Sequence, residues 1–282
     1  MPVPTKEGFT FVGWYSDNST FNIKWGFYTE SVTADVTLFA KWMEGSGGND
    51  GVKLLDTETR GPFHMRKFFY DEQNRIKETW TYSGEHLHYK TILTYTGEDM
   101  TKLEYVFFED NEVVLVSTRY YVKNGNTISW SDDVTIVEEK EESASIISTL
   151  TLNDDGFPEK IEEDFLWVNW VYNFIYVNGN LTKLSYVNNE GESGEWNFTY
   201  GTYRSAYSGC NTPKWVRMVL HGFLNISQNA VTKHEMESID YWGKSVASVT
   251  YEYDYNYDGF PTICIENLDY GDKEITEFKY KN

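Results

Sequence analysis

The feature that most constrains this chain is a recurring strand, turn, strand pattern, and its clearest copy is Tyr251 to Ile265, YEYDYNYDGFPTICI. Tyr251, Tyr253 and Tyr255 share one face of a strand, because successive side chains point to opposite faces. Asp258-Gly259 supplies a residue tolerant of left-handed backbone followed by one with no side chain to clash there, which lets the chain reverse. Ile263 and Ile265 alternate on the returning strand. Pro261 has no N–H to give to a ladder, so it belongs at that strand's first residue or on an edge.

Weaker copies begin at Phe68: FFYDEQNRIKETWTY, ILTYTGEDMTKLEYVFF, RYYVKNGNTISW, LTLNDDGFPEKIEE and FIYVNGNLTKLSYV. Their bends fall roughly 25 to 30 residues apart, the length of a two-strand unit. An isolated hairpin is marginal, so these units must stabilise one another in one sheet. The aromatic share, 17% of 282 residues with 22 Tyr and 10 Trp, suits strands that pack by cross-strand ring contacts. The expected fold class is all-β, a large curved antiparallel meander of about ten to fourteen strands, half-barrel or porin-like. Strands such as EKIEEDF and TKLEYVF put charges at alternate positions, where a membrane barrel needs an apolar band, so the sheet is expected to be water-soluble.

Residues 202–247 interrupt the meander. Thr212-Pro213 reads as a helix start, and Trp215, Met218, Val219 and Phe223 then fall on one face. The expectation is a short amphipathic helix near 212–226, packed on the concave side or across one end of the sheet and weakened by Gly222. The following ISQNAVTKHEMES reads as a loop.

Residues 1–42 form a smaller aromatic β unit, with alternating strands in FTFVGWYSD and VTLFAKW and with Trp14, Trp25 and Trp42 as its core anchors. Residues 43–52, MEGSGGNDGV, have the composition of a flexible linker. The expected organisation is a partial module at 1–42, the linker, and the meander domain at 53–282.

The string PTKEGFTFVGWYSDNSTFNIKWGFYTESVTADVTLFAKW resembles the second half of a Listeria-Bacteroides repeat, the β-grasp-like internalin B-type module. That resemblance implies an exported bacterial surface protein, often with several modules in a row. The family's opening strands are absent, so either the chain is a fragment or the repeat has lost its start. Residues 53–282 resemble a group of Bacteroidetes cell-surface proteins of unknown function with a porin-like fold, through the Tyr-Asp-rich turns, the NGNLTKL element at 178–184 and the helical insertion. Neither resemblance brings catalytic residues.

A formal net charge of -20, from 44 acidic and 24 basic residues, repels phosphate backbones, so nucleic acid is not an expected partner. No stretch approaches the roughly 20 apolar residues of a membrane helix, and the opening MPVPTKEG holds no apolar signal-peptide core. The chain as written is therefore expected to carry neither a transmembrane segment nor an export signal, and the surface location rests on the resemblance. Cys210 and Cys264 are too few for a disulfide scaffold, and whether they pair stays open.

The sites that chemistry would single out are sparse. His86 and His88 share a strand face, but no third metal ligand can be placed, and His234, Glu235 and Glu237 form a comparable cluster. The turns NDDG and NYDG and the run EEKEE at 138–142 lack the ligand alternation of a calcium loop. No metal site and no cofactor are expected. Nucleophile elbows, zinc-protease motifs and phosphate-cradling loops are missing, so no catalytic residue is assigned, and a carboxylate pair for polysaccharide hydrolysis cannot be picked from so many acids. The surplus is aromatic. Trp167, Trp170, Trp196, Trp215 and Trp242 are the candidate ligand-binding residues, able to stack on a sugar or anchor a protein. Trp167 and Trp170 have opposite parity and so are expected on opposite faces. The favoured reading is a non-catalytic binding or adhesion module for a glycan or surface protein. A structural spacer or envelope-assembly domain and a polysaccharide hydrolase are the alternatives.

Overall fold

The computed structural model describes residues 4, 6, 9–19, 25, 32–44, 53–136, 147–165, 167–240, 243–256, 258–269 and 271–281. Strands β1 (Phe9–Tyr15) and β2 (Phe39–Glu44) form a two-stranded antiparallel sheet. The rest of the chain supplies β3 (Leu55–Arg60), β4 (His64–Tyr70), β5 (Ile76–Ser83), β6 (His86–Thr96), β7 (Asp99–Glu109), β8 (Glu112–Asn124), β9 (Thr127–Ile136) and β10 (Ile147–Leu152). These continue as β11 (Pro158–Phe165), β12 (Val168–Val177), β13 (Asn180–Asn188), β14 (Ser193–Arg204), β15 (Asn229–Asp240), β16 (Gly243–Tyr255), β17 (Pro261–Asn267) and β18 (Lys273–Tyr280). Each strand from β3 onward pairs with the next, and β18 pairs antiparallel with β3, closing a barrel of sixteen strands.

Closure follows from the pattern. An up-and-down meander brings its last strand antiparallel to its first only when the strand number is even, and joining them removes both unpaired edges. Sixteen exceeds the expected ten to fourteen, and one of the added strands is β15, which takes in most of the segment ISQNAVTKHEMES read as loop. Its inward His234 and Met236 follow a period of two, and a register shift opposite Thr199/Tyr200 brings Val231 inward as well.

The bend at 256–260 is not the two-residue Asp258-Gly259 turn expected from sequence. Asn256 accepts backbone N–H bonds from Asp258 and Phe260, both at 3.0 Å, and its own N–H donates to the Phe260 carbonyl. Gly259 takes the left-handed conformation, φ 78°. Asp71, Asn153 and Asn188 organise three other bends through the same two side-chain bonds. In the NDDG and NYDG turns the Asn153 and Asn256 side-chain oxygens are therefore occupied by the backbone, and the Asp258 carboxylate pairs with Lys53 at 3.6 Å. Register shifts sit beside most of these bends, as at Phe69/Tyr70 and Asp254/Tyr255, and such bulges add the local twist a closing sheet needs.

The outer wall is charged. Lys102–Glu104, Lys160–Glu162 and Lys233–Glu235 pair along single strands, and Lys183–Glu195 and Lys244–Glu237 pair across neighbouring ones, at 2.6–2.8 Å. These positions hold ion pairs where a lipid-facing wall carries an apolar band, while Ile175, Val177, Val187 and Val246 are exposed on the same face. No helix among the described residues is long and apolar enough to cross a membrane.

A barrel of this size has a lumen too wide for wall side chains alone to fill. Residues 205–228 fold into it, as helix α1 (Lys214–His221) and one 3₁₀ turn (Phe223–Ile226). Trp215 and Val216 are buried among Leu55, Phe68, Leu103 and Leu150, which come from strands on several sides. Ile226 packs with Phe174, Leu181, Leu184 and Phe198 on the opposite wall. The helix thus lies inside the barrel, at the end formed by the bends near Asn74, Asn153 and Asn256.

Two details of the helix differ from expectation. Thr212 does not cap it: Pro213 precedes the first turn, and the Thr212 hydroxyl accepts the Ile76 N–H at 2.7 Å, tying the insertion to β5. Gly222, at φ 77°, ends the helix rather than weakening its interior. The base of the insertion is closed by Ser205, whose hydroxyl donates to the Ser227 carbonyl at 2.8 Å. Outside the barrel, β1 lies against β16, and the buried Tyr15 has Asp254 nearby.

Candidate functional site: the unplugged half of the lumen

Register decides what lines the rest of the lumen. Pairing sets Trp130, Ser148, Glu163, Trp170 and Asn188 side by side on β9 to β13, all facing inward. Two residues along β12 from Trp170 comes Tyr172, which pairs with Tyr186 of β13. Trp196 of β14 pairs with Leu184, also inward. The result is a chain of rings from the far rim to the plug. Trp170 lies 6.3 Å from Tyr172 and 5.6 Å from Tyr186, Tyr186 lies 5.2 Å from Trp196, and Trp196 lies 5.7 Å from Phe223 of the plug. All four wall rings are half-buried rather than sealed.

The arrangement depends on one glycine. A Cβ at Gly194 would sit 2.4 Å from the Tyr186 ring, so only glycine lets that ring lie flat on β14 between its neighbours. Polar groups flank the rings. Burial raises the Glu163 carboxyl above its ordinary range, with Arg119 partly offsetting this, and burial likewise raises the Tyr172 phenol, helped by Glu163 and Tyr186. A ring face with a carboxylate, a guanidinium and phenols at its edge offers stacking together with hydrogen bonds of both polarities.

A second inward cluster lies across the lumen. Arg60 pairs with Glu266 at 3.2 Å and also with Glu274, and the Tyr251 hydroxyl reaches His234 Nδ1 at 3.1 Å and Glu266 at 3.4 Å. A cavity of about 150 Å³ opens between this wall and the plug. Deeper still, Tyr207 donates to Glu58 at 2.6 Å, and Arg66 donates to His221 Nδ1 at 2.8 Å. Burial, aided by the Arg66 and Arg217 cations, pushes the His221 pKa well below its ordinary value, so the ring is neutral.

The five candidate tryptophans separate. Trp170 and Trp196 join one ring chain. Trp215 is 3% exposed and packs on Tyr121 at 5.3 Å, which makes it core. Trp167 is 83% exposed in the bend before β12, where its carbonyl accepts from Asn189, so it stands on the rim and off the strand. Trp242 lies outside the described residues, as does the EEKEE run. Strand parity also divides the cluster at 234–237: His234 faces inward, while Glu235 and Glu237 pair with lysines outside. His86 and His88 line an open hollow of about 200 Å³ with Asp110 at the far rim. Among the described residues no three metal-ligating side chains converge. Cys210 and Cys264 are both free thiols, and burial pushes the Cys264 pKa up to about 12. Tyr172, Tyr186, Glu163 and Arg119 are the site residues that sequence reasoning passed over. Parity with Trp170 points to Tyr172, but the others required the register.

The family model for the Listeria-Bacteroides repeat domain matches residues 1–41. The "Putative Gly-rich membrane protein" of Evansella cellulosilytica is 41% identical over 63 residues, covering 20% of this chain and 7% of that protein. Internalin H of Listeria monocytogenes is 52% identical over 40 residues, covering 14% of this chain and 7% of that protein. The chain thus spans only a small part of these relatives' length. The crystal structure of a porin-like protein from Bacteroides vulgatus aligns with 80% of this chain and 98% of its own, at 11% identity and a TM-score of 0.43.

Proposed function

We propose that this chain belongs to an exported bacterial surface protein whose barrel binds a glycan in the unplugged half of its lumen, without catalysing a reaction. The observation that carries this reading is the ring chain Trp170, Tyr172, Tyr186 and Trp196, half-buried on a concave wall and flanked by Glu163 and Arg119. Flat rings beside polar groups are what a pyranose face and its hydroxyls recognise, and a concave aromatic site with few polar groups is the usual form of a small-ligand pocket. The surface location is supported by the repeat at residues 1–41, which internalin H shares in sequence.

A glycan array probed with the full chain, followed by calorimetry on the hits, tests the reading. Binding at micromolar to millimolar glycan that falls at least tenfold in Trp170→Ala and Trp196→Ala, but not in Trp167→Ala, is the expected result. No binding at millimolar glycan would sink it and leave the barrel as scaffold or as a receptor for protein. Release of reducing ends from a bound glycan would replace binding by hydrolysis.

A further inference from the structure

At the plugged end a cavity of about 480 Å³ opens between α1, the bend joining β10 to β11 and the bend joining β12 to β13. Arg204, Ser208, Lys214, Arg217 and Gln228 line it, together with Asp155. Three cations around one cavity stand out in a chain of net charge -20. Among the described residues none of the three is ion-paired. The Arg204 guanidinium lies over the Phe260 ring at 5.4 Å, and Lys214 lies over Phe157 at 3.4 Å while donating to the Asp155 backbone carbonyl at 2.9 Å.

Arg217 is the independent sign of a missing partner. It is 7% exposed, its Nη1 donates to the Tyr207 carbonyl at 3.0 Å and its Nη2 to the Ile226 carbonyl at 3.4 Å, and its buried Nε has no acceptor. Neutral carbonyls hold the guanidinium in place without neutralising it. A buried charge with no counter-charge is costly, and an anion beside it would remove that cost. Burial lowers the pKa of both Lys214 and Arg217, and Arg217 adds to the effect on Lys214 while the Asp155 charge partly offsets it.

We propose that this cavity binds an oxyanion, phosphate or sulfate, either free or as the ester end of a larger ligand. Arg and Lys supply charge-assisted hydrogen bonds and the Gln228 amide a neutral donor, while the Ser208 hydroxyl is committed to the Ser205 carbonyl at 2.8 Å. The site lies across the plug from the ring chain and stands independently of the glycan reading.

Thermal unfolding of the full chain in phosphate, sulfate and chloride at matched ionic strength tests this. Phosphate or sulfate is expected to raise the Tm saturably above chloride. Arg204→Gln and Lys214→Gln should each weaken the apparent Kd about tenfold, as loss of one charged hydrogen bond does, while Lys214→Arg retains binding. Glucose 6-phosphate and glucose 6-sulfate, set against the free ions and against glucose, separate the sources: tighter ester binding assigns the site to a larger ligand, and equal binding assigns it to the free ion. An equal effect of chloride, or a shift that survives in the Arg204→Gln/Lys214→Gln double variant, overturns the proposal. Should the double variant fail to fold by circular dichroism, Arg204→Gln alone decides, since that change gives up a cation–π contact with Phe260 and no ion pair among the described residues.

Discussion

Around α1 the inward positions of the wall are Leu55, Phe68, Leu103, Ile128 and Leu150, each 2% exposed or less, while away from it, on these and neighbouring strands, they are Tyr105, Trp130, Glu163, Trp170 and Tyr172, all half-exposed. The strands, their alternation and their pairing are continuous across both zones. What differs is whether something fills the lumen. Where the insertion lies, an inward side chain is sealed and shape decides its worth. Where it does not, an inward side chain still meets water and can meet a ligand. Substitutions in the plugged half should therefore cost stability, and those in the other half should cost binding.

The largest expected effect is at Trp215. Trp215→Ala should lower stability by about 3 to 5 kcal/mol, read by chemical denaturation, because a cavity would open between α1 and Tyr121. A loss under 1 kcal/mol would mean that the plug is not part of the cooperative core. Next is Gly209, where an added Cβ would lie 2.1 Å from the Lys53 carbonyl oxygen. Backbone must move, so Gly209→Ala should cost about 1 to 3 kcal/mol with the glycan affinity unchanged.

The buried histidines and Glu163 should also answer acid in opposite senses. His221 is held neutral, so below an imidazole's ordinary pKa of about 6.5 the unfolded chain gains a proton that the folded chain refuses, and stability falls as pH falls. The slope contributed reaches about 1.4 kcal/mol per pH unit, and His221→Gln should flatten it between pH 6.5 and 5.5. His234, lowered by burial, adds in the same direction. Glu163, raised by burial, binds its proton earlier when folded and so works against that trend. A wild-type stability that stays level over this range, with no response to His221→Gln, would contradict the assignment.

The smallest stability effect and the sharpest functional one belong to Gly194→Ala. The Tyr186 ring, being the end of a side chain, can swing away at about 0.5 to 1.5 kcal/mol. Glycan affinity should nevertheless fall as far as in Trp170→Ala, because the ring chain loses its middle member. Calorimetry showing wild-type affinity in Gly194→Ala would separate Tyr186 from the site.

The sequence by itself determined the local grammar. Period-two alternation placed Tyr251, Tyr253 and Tyr255 on one face, where their rings now stack at 6.5 and 5.7 Å, and Pro261 opens β17 as its missing N–H requires. The alternate charges in EKIEEDF and TKLEYVF became ion pairs on the outer face, since alternation is set by the backbone and survives whatever the sheet does next. Only the tertiary structure decided closure, register and the placement of the plug, because each depends on contacts between segments far apart in the chain. Thr212 is the plainest case: beside Pro213 it reads as a helix cap, yet a β5 amide 136 residues away claims its hydroxyl. The tryptophans divide for the same reason. Parity gives each ring one of two faces, but whether the inner face is core, as for Trp215, or lumen, as for Trp170, depends on where one short helix comes to rest inside a barrel too wide to fill itself.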